Sequence, residues 1–379
     1  MFSVAIELGA VGTLRHYRPL PVSPDLRGYA GEQSQIRAAV GTEGVSITGL
    51  SARYCPTGRD IYLEKVLKLE TPSWPRSVIG KVVDPVLVDL HTIGMDQLDD
   101  AFEKSVRTGR AVSFRDLETN IITAAEDAAR RRLLSEWTYP GKHPDFRNLT
   151  LDDFAERMAG EGGADLIANT LAAIVDLIRH ETKLLIAYLR RCRRGRFGLG
   201  YFTPSSNWMA EARAALTRLQ TGVTLDNKRY PARVFGVRNG VCPDFLYAVT
   251  LVGDLKTGPY EQFHEGVAIG YAIFAEFALA RRINTAFILS IDLDLTAGKL
   301  RSHRIYRIRA DDQQRQRWIT QRDSALTILR SGSVPPHPSD LQRCSRCPYS
   351  HHCWEGGYPG TTPLLPAPHS PAASTAGLP

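Results

Sequence analysis

In the stretch VCPDFLYAVTLVGDLKTG, two carboxylates, Asp244 and Asp254, stand ten residues apart and Lys256 follows the second by two. The run between them is apolar and rich in β-branched and aromatic side chains, the composition of strand. Strand period 2 puts Asp254 and Lys256 on one face, and a short hairpin or bulge would return Asp244 to the same place. Two carboxylates and the Leu255 carbonyl are hard oxygen donors suited to Mg²⁺ or Mn²⁺. Such a cation lowers the pKa of a bound water, while the lysine orients or deprotonates that water and offsets charge on phosphorus. The chemistry expected is phosphodiester hydrolysis.

A second group of residues is soft. Cys344, Cys347 and Cys353 have the spacing C-x₂-C-x₅-C, and Cys55, in Tyr54-Cys55-Pro56, is available as a fourth ligand if the two ends of the fold meet. Thiolates in this pattern suit an iron–sulfur cluster or zinc, and His351 and His352 keep zinc open by offering a nitrogen in place of one thiolate. Tyr349 and Trp354 stand ready to shield such a centre. Cys192 and Cys242 have no comparable neighbours and are expected as packed side chains. Six cysteines in 379 residues are too few for a disulfide scaffold.

These groups need a frame, and the rest of the chain supplies one. Hydrophobic residues at 43% and charged residues at 23% are globular values. The longest apolar run, 171–178, is interrupted by Asp176, which excludes a spanning helix. Met1 to Gly12 carries Glu7 and no preceding basic residue, which argues against a secretory signal and for a cytoplasmic protein. Forty-seven basic against 40 acidic residues give +7, a balance suited to an anionic partner such as nucleic acid.

Strands are expected at 233–237, 245–254, 285–289 and 300–309, with helices at 263–282 and 313–330. This order is an α/β fold, a mixed sheet covered by flanking helices. The row from Gly49 begins as a helix, breaks at Cys55-Pro56 and resumes. Residues 96–137 and 151–193 have helical patterning; Ile167, Leu171, Ile174, Ile178, Leu185 and Leu189 form one stripe, ending in Arg190, Arg191, Arg193, Arg194 and Arg196. The division expected is a leader at 1–48, a first nuclease and cluster part at 49–95, and a helical insertion at 96–200. A nuclease core at 201–333, a cluster segment at 334–357 and a chargeless, disordered tail at 358–379 complete it.

Pro243-Asp244 with Asp254-x-Lys256 resembles the PD-(D/E)xK nuclease superfamily, and the ending DLKTG resembles its RecB branch. The resemblance implies a restriction-endonuclease-like sheet. In the family's Gln-x-x-x-Tyr motif, Tyr271 fits the tyrosine, but Val267 stands where the glutamine belongs, with Gln262 near the start of the same helix. In its Gly-x-x-x-His element, aligned with Gly80-Lys81-Val82-Val83-Asp84, Asp84 replaces the histidine; as a hard ligand it would join Asp244 and Asp254, and His91 is the other candidate. The resemblance also implies a [4Fe–4S] cluster on Cys55, Cys344, Cys347 and Cys353, joining the N- and C-terminal parts.

The row ARYCPTGRDIYLEKVL and the leader Pro24-Asp25-Leu26-Arg27-Gly28-Tyr29 resemble the CRISPR-associated RecB-like exonucleases of the archaeal type I-A branch. That similarity implies a Mg²⁺- or Mn²⁺-dependent exonuclease acting on single-stranded DNA ends or overhangs, trimming prespacers alongside CRISPR integrase proteins. Two other readings remain open. One is a catalytically weakened DNA-end-binding subunit, which the departures at Asp84 and Val267 favour; the other is a repair or recombination nuclease.

Overall fold

The computed structural model describes residues 1–12, 20–29, 37–38, 46–51, 55–69, 75–137, 163–194, 196–197, 200–201, 208–225, 232–238, 240–331, 333–339, 344, 347 and 349–353. Helices α1 (Phe2–Gly12), α2 (Ile47–Ser51), α3 (Arg59–Ile61), α4 (Pro75–Thr108), α5 (Phe114–Trp137) and α6 (Gly163–Arg193) come first. A two-residue ribbon, β1 (Arg196–Phe197) and β2 (Gly200–Tyr201), leads to α7 (Trp208–Leu216). Then follow β3 (Leu219–Thr221), β4 (Phe245–Tyr247), β5 (Leu251–Thr257), α8 (His264–Leu279), β6 (Thr285–Asp294), β7 (Lys299–Arg309) and α9 (Asp312–Ser331).

The sheet order is β3-β4-β5-β6-β7, with only β5 and β6 parallel. A parallel pair needs a crossover, and α8 is that crossover. Strand alternation divides the core in two. Leu246, Val252, Ala286, Ile288 and Ile308 face α8 and α9, whereas Phe245, Leu255, Phe287, Leu289 and Ile291 face the α1, α4, α5 and α6 side. Helix α8 buries apolar residues around its whole circumference because it lies between the sheet and α2 with α9. Among the described residues no helix is long and apolar enough to cross a membrane.

The mixed α/β sheet with flanking helices is the class read from the sequence. The details differ in four places. The expected strand at 245–254 is two strands, β4 and β5, joined where Ala248 (φ 48°) and Val249 (φ 58°) turn left-handed and the Thr250 N–H donates to Tyr247 O at 3.1 Å. Two successive positive φ values make a tight hairpin. At 233–237 the chain forms a 3-10 turn, Ala232–Phe235, ended by Gly236 at φ 73° against Leu326. Helix α4 runs unbroken through residues 95 and 96, and the chain breaks instead at 109–113. The first part of the leader is α1, with Met1, Phe2 and Val4 fully buried.

The 20–29 segment is fixed by ionic contacts. Glu276 of α8 accepts hydrogen bonds from Arg27 Nη1 (2.5 Å), the Gly28 N–H (2.9 Å) and Arg315 Nη1 (2.8 Å). All three charged side chains are buried.

Candidate active site

The hairpin register pairs Phe245 with Gly253 and Leu246 with Val252. One step further along the same ladder sets Asp244 opposite Asp254, on the face that looks toward α8. Gly253 makes this possible, since a Cβ there would lie 2.1 Å from the Phe287 ring, which stacks on Phe245 at 5.6 Å. Asp244 Oδ2 accepts the Leu255 N–H at 2.6 Å. Lys256 Nζ is 2.6 Å from Asp254 Oδ2, yet that buried oxygen makes no aligned hydrogen bond.

Asp84 reaches this point from α4. Gly80, one turn earlier, packs so closely on β5 that an added Cβ would meet Thr257 Oγ1 at 3.0 Å. Burial first, then the charge of Asp254, raises the Asp84 carboxyl above its usual range, with Lys256 opposing. Burial and the charge of Asp254 push Asp244 up to about 8, although the Leu255 N–H favours its ionised form. Tyr271, on α8, is raised by burial and then by Asp254 and Asp244; its hydroxyl bonds Thr48. The structure therefore brings Asp84, Asp244, Asp254, Lys256 and Tyr271 together.

Three carboxylates against one ammonium leave unbalanced negative charge in a desolvated place, and a hard divalent cation is the counter-charge that this donor set fits. Among the described residues no three His, Cys, Asp or Glu side chains already converge as a metal site. A cleft of about 250 Å³ opens past the end of β5, lined by Ile79, Thr257, Gly258, Ile291, Asp292 and Arg301 among others; none of Asp84, Asp244, Asp254 and Lys256 lines it.

Of the four expected cysteines, Cys55, Cys347 and Cys353 lie near enough to influence one another. Cys55 lies in the turn before α3, where its N–H donates to Asp60 Oδ2 at 3.1 Å. Cys347 is buried, and its thiol is pushed up to about 12 by burial first, with Asp60, Cys353 and Cys55 adding to it. Cys353 is raised by burial and then by Cys55, against the pull of Arg59. Cys344 is buried, and its carbonyl accepts the Cys347 N–H at 3.1 Å.

Residues 166–356 match the family described as CRISPR-associated exonuclease Csa1. The chain belongs to the Csa1 family. No curated protein matches it, and no solved structure does. The matched span holds Asp244, Asp254, Lys256, Tyr271, Cys344, Cys347 and Cys353; Asp84 and Cys55 precede it.

Within this Csa1-family chain, the other expected residues have different surroundings. His91 sits against Phe2, at 5.7 Å between rings, and burial pushes it down to about 4; it is not with the carboxylates. Val267 is a fully buried core residue, and Gln262 is exposed. Cys192 is packed as expected, but Cys242 is exposed, and after burial Asp244 is the next influence raising its thiol. Position 242 precedes the strand, so no sheet face covers it. Trp354 and the 358–379 tail lie outside the described residues.

Arg190, Arg191, Arg193 and Arg194 are exposed, two of them over the Phe114 ring at 5.9 and 5.6 Å. Helix α6 meets the active-site end of the sheet at Asp176, whose carboxylate accepts the Leu300 N–H. Further along α6, Glu181 contacts His303. Sequence reasoning missed His264, whose signal was its position seven residues before Tyr271 on one helix face.

Proposed function

We propose that this Csa1-family chain is a PD-(D/E)xK-type, metal-dependent DNA exonuclease that trims prespacer ends for CRISPR integrase proteins in the cytoplasm. The observation that carries it is the pairing of Asp244 with Asp254 across the hairpin, with Lys256 at 2.6 Å. Asp244, Asp254 and Asp84 would hold Mg²⁺ or Mn²⁺, which supplies a water of lowered pKa and charge neutralisation at phosphorus. The chain's own residues do the rest. Lys256, as the ammonium, orients the attacking water and its charge meets the oxyanion that forms, while the water's proton leaves to solvent. Tyr271, its hydroxyl bonded to Thr48, closes the site from the helix side.

The proposed cofactor of the cysteine region is a [4Fe–4S] cluster on Cys55, Cys344, Cys347 and Cys353. Buried thiols that influence one another and come from both ends of the chain support a soft, structural centre. The centre would hold the α3 segment against the C-terminal part.

The reaction is tested with end-labelled single-stranded DNA and Mn²⁺. The wild type should shorten it from one end, and Lys256→Ala should lower the rate by about 10²-fold or more. Equal rates for the two would overturn the assignment. Asp84 and Val267, the two departures from the motif, favour a second reading, a DNA-end-binding subunit with weak or no cleavage. DNA binding that survives chelation, with no cutting in any of several metals, would establish that reading instead.

A further inference from the structure

His264 opens α8 and is 9% exposed. Helix α8 returns along β5, so its first turn lies by Lys256 and its second and third by Asp254. His264 and Tyr271, seven residues apart, share the face that looks onto this row. The Glu261 N–H donates to His264 Nδ1 at 3.2 Å, which places the single ring proton on Nε2. A protonated Nε2 is a hydrogen-bond donor and not a metal ligand. Among the described residues Nε2 has no hydrogen-bond partner. Phe263 at 4.4 Å and Tyr260 at 6.4 Å meet the ring edge-on and fix its plane.

A histidine present only to cap this turn would need no second nitrogen free beside a lysine. We infer that His264 is a substrate-binding residue whose Nε2–H donates, as a neutral group, to a non-bridging oxygen of the phosphodiester next to Lys256. Burial and the Lys256 charge push the imidazole down to about 3, which agrees with a donor that keeps one proton throughout. The side chain thus adds a directional hydrogen bond without competing with the cation for the carboxylates. The inference rests on the nuclease reading of Asp244, Asp254 and Lys256.

The test uses full-length His264→Ala, His264→Gln and His264→Asn. The amide nitrogen of glutamine overlays Nε2, and that of asparagine overlays Nδ1. Cleavage of a labelled oligonucleotide is expected to fall about 10- to 100-fold in the alanine and asparagine variants and to recover in the glutamine variant. With a phosphorothioate at the cut linkage, the alanine penalty should shrink for one diastereomer only. Equal losses in all three variants, or equal penalties on both diastereomers, would mean a structural role and overturn the inference. Binding of the same oligonucleotide in chelator separates the two claims. If the wild type binds but never cuts, the nuclease reading fails, and His264 is judged by whether alanine weakens binding about 10-fold and glutamine restores it. No DNA binding by the wild type would overturn both.

Discussion

Asp244 stands across the β4–β5 hairpin from Asp254, in a register fixed by two left-handed residues, Ala248 and Val249. Because side chains alternate with period 2, a slip of one residue would send one carboxylate to the far face. The hairpin tip, which begins four residues after Asp244, thus decides whether the site exists. Val249 is β-branched at a positive φ, a conformation that asparagine or glycine adopts with less strain. Ala248→Asn with Val249→Gly should raise the melting temperature and leave the cleavage rate unchanged. A fall in stability would show that the neighbours of the tip, and not its backbone, set the register.

The carboxylates repel one another, and the repulsion has a sign in pH. Asp244 moves from an ordinary 3.8 up to about 8, and Asp84 moves the same way. An acid whose folded pKa is raised holds its proton better folded than unfolded, so its stabilising contribution is complete below about pH 4 and is lost as pH rises toward about 8. The slope is at most about 1.4 kcal/mol per pH unit for one group. In chelator, denaturation midpoints should therefore fall between pH 5 and 8. Asp244→Asn should flatten that slope and raise stability at pH 8 while abolishing cleavage, and Mg²⁺ should stabilise only the wild type. An unchanged slope in the variant would place the titration elsewhere.

Gly253 offers a steric test. A methyl group there would enter the Phe287 ring at 2.1 Å, in the middle of the Phe245 and Phe287 stack. Gly253→Ala should cost about 1–3 kcal/mol, as overpacking does, and should reduce cleavage because Asp254 is the next residue. Chemical denaturation and the cleavage assay measure the two effects separately.

What could be read from the sequence was what depends on local spacing. Asp254 and Lys256 share a face because two residues separate them, and Asp244 needed only a hairpin. His264 was missed because its nearness to Lys256 depends on how the α8 crossover returns over the sheet. Helix α1 falls inside the expected leader, where FSVAIELGAVG has apolar residues on all sides and no stripe to signal a helix. Met1, Phe2 and Val4 are fully buried, while Glu7 reaches solvent. The 233–237 run has the composition of a strand, but Gly236 turns left-handed and ends it.

For the cysteine region, the proposed cluster predicts colour. Anaerobically purified protein should absorb in the visible and contain about four irons per chain, as a [4Fe–4S] centre requires. Cys347→Ser should bleach it and lower the melting temperature. A colourless wild type with one equivalent of zinc would replace the cluster with a zinc site.

The buried group at Glu276 predicts a large loss of stability far from the chemistry. Glu276 is fully buried and meets Arg27, Arg315, Gly28 and Ile283, all within 3.1 Å. Removing it leaves two guanidinium groups desolvated without their anion, which costs about 3–5 kcal/mol. The surface pair Arg132–Asp89, with side chains 43% and 27% exposed, is the contrast, since such pairs contribute about 0–1 kcal/mol. Glu276→Ala should therefore destabilise far more than Arg132→Ala in chemical denaturation. It should also expose the 20–29 segment to limited proteolysis, because Gly28 is held against α8, where a Cβ would lie 1.9 Å from Ile273 O. Equal losses in the two variants would mean that packing around α8, and not this ionic contact, fixes the segment to the core.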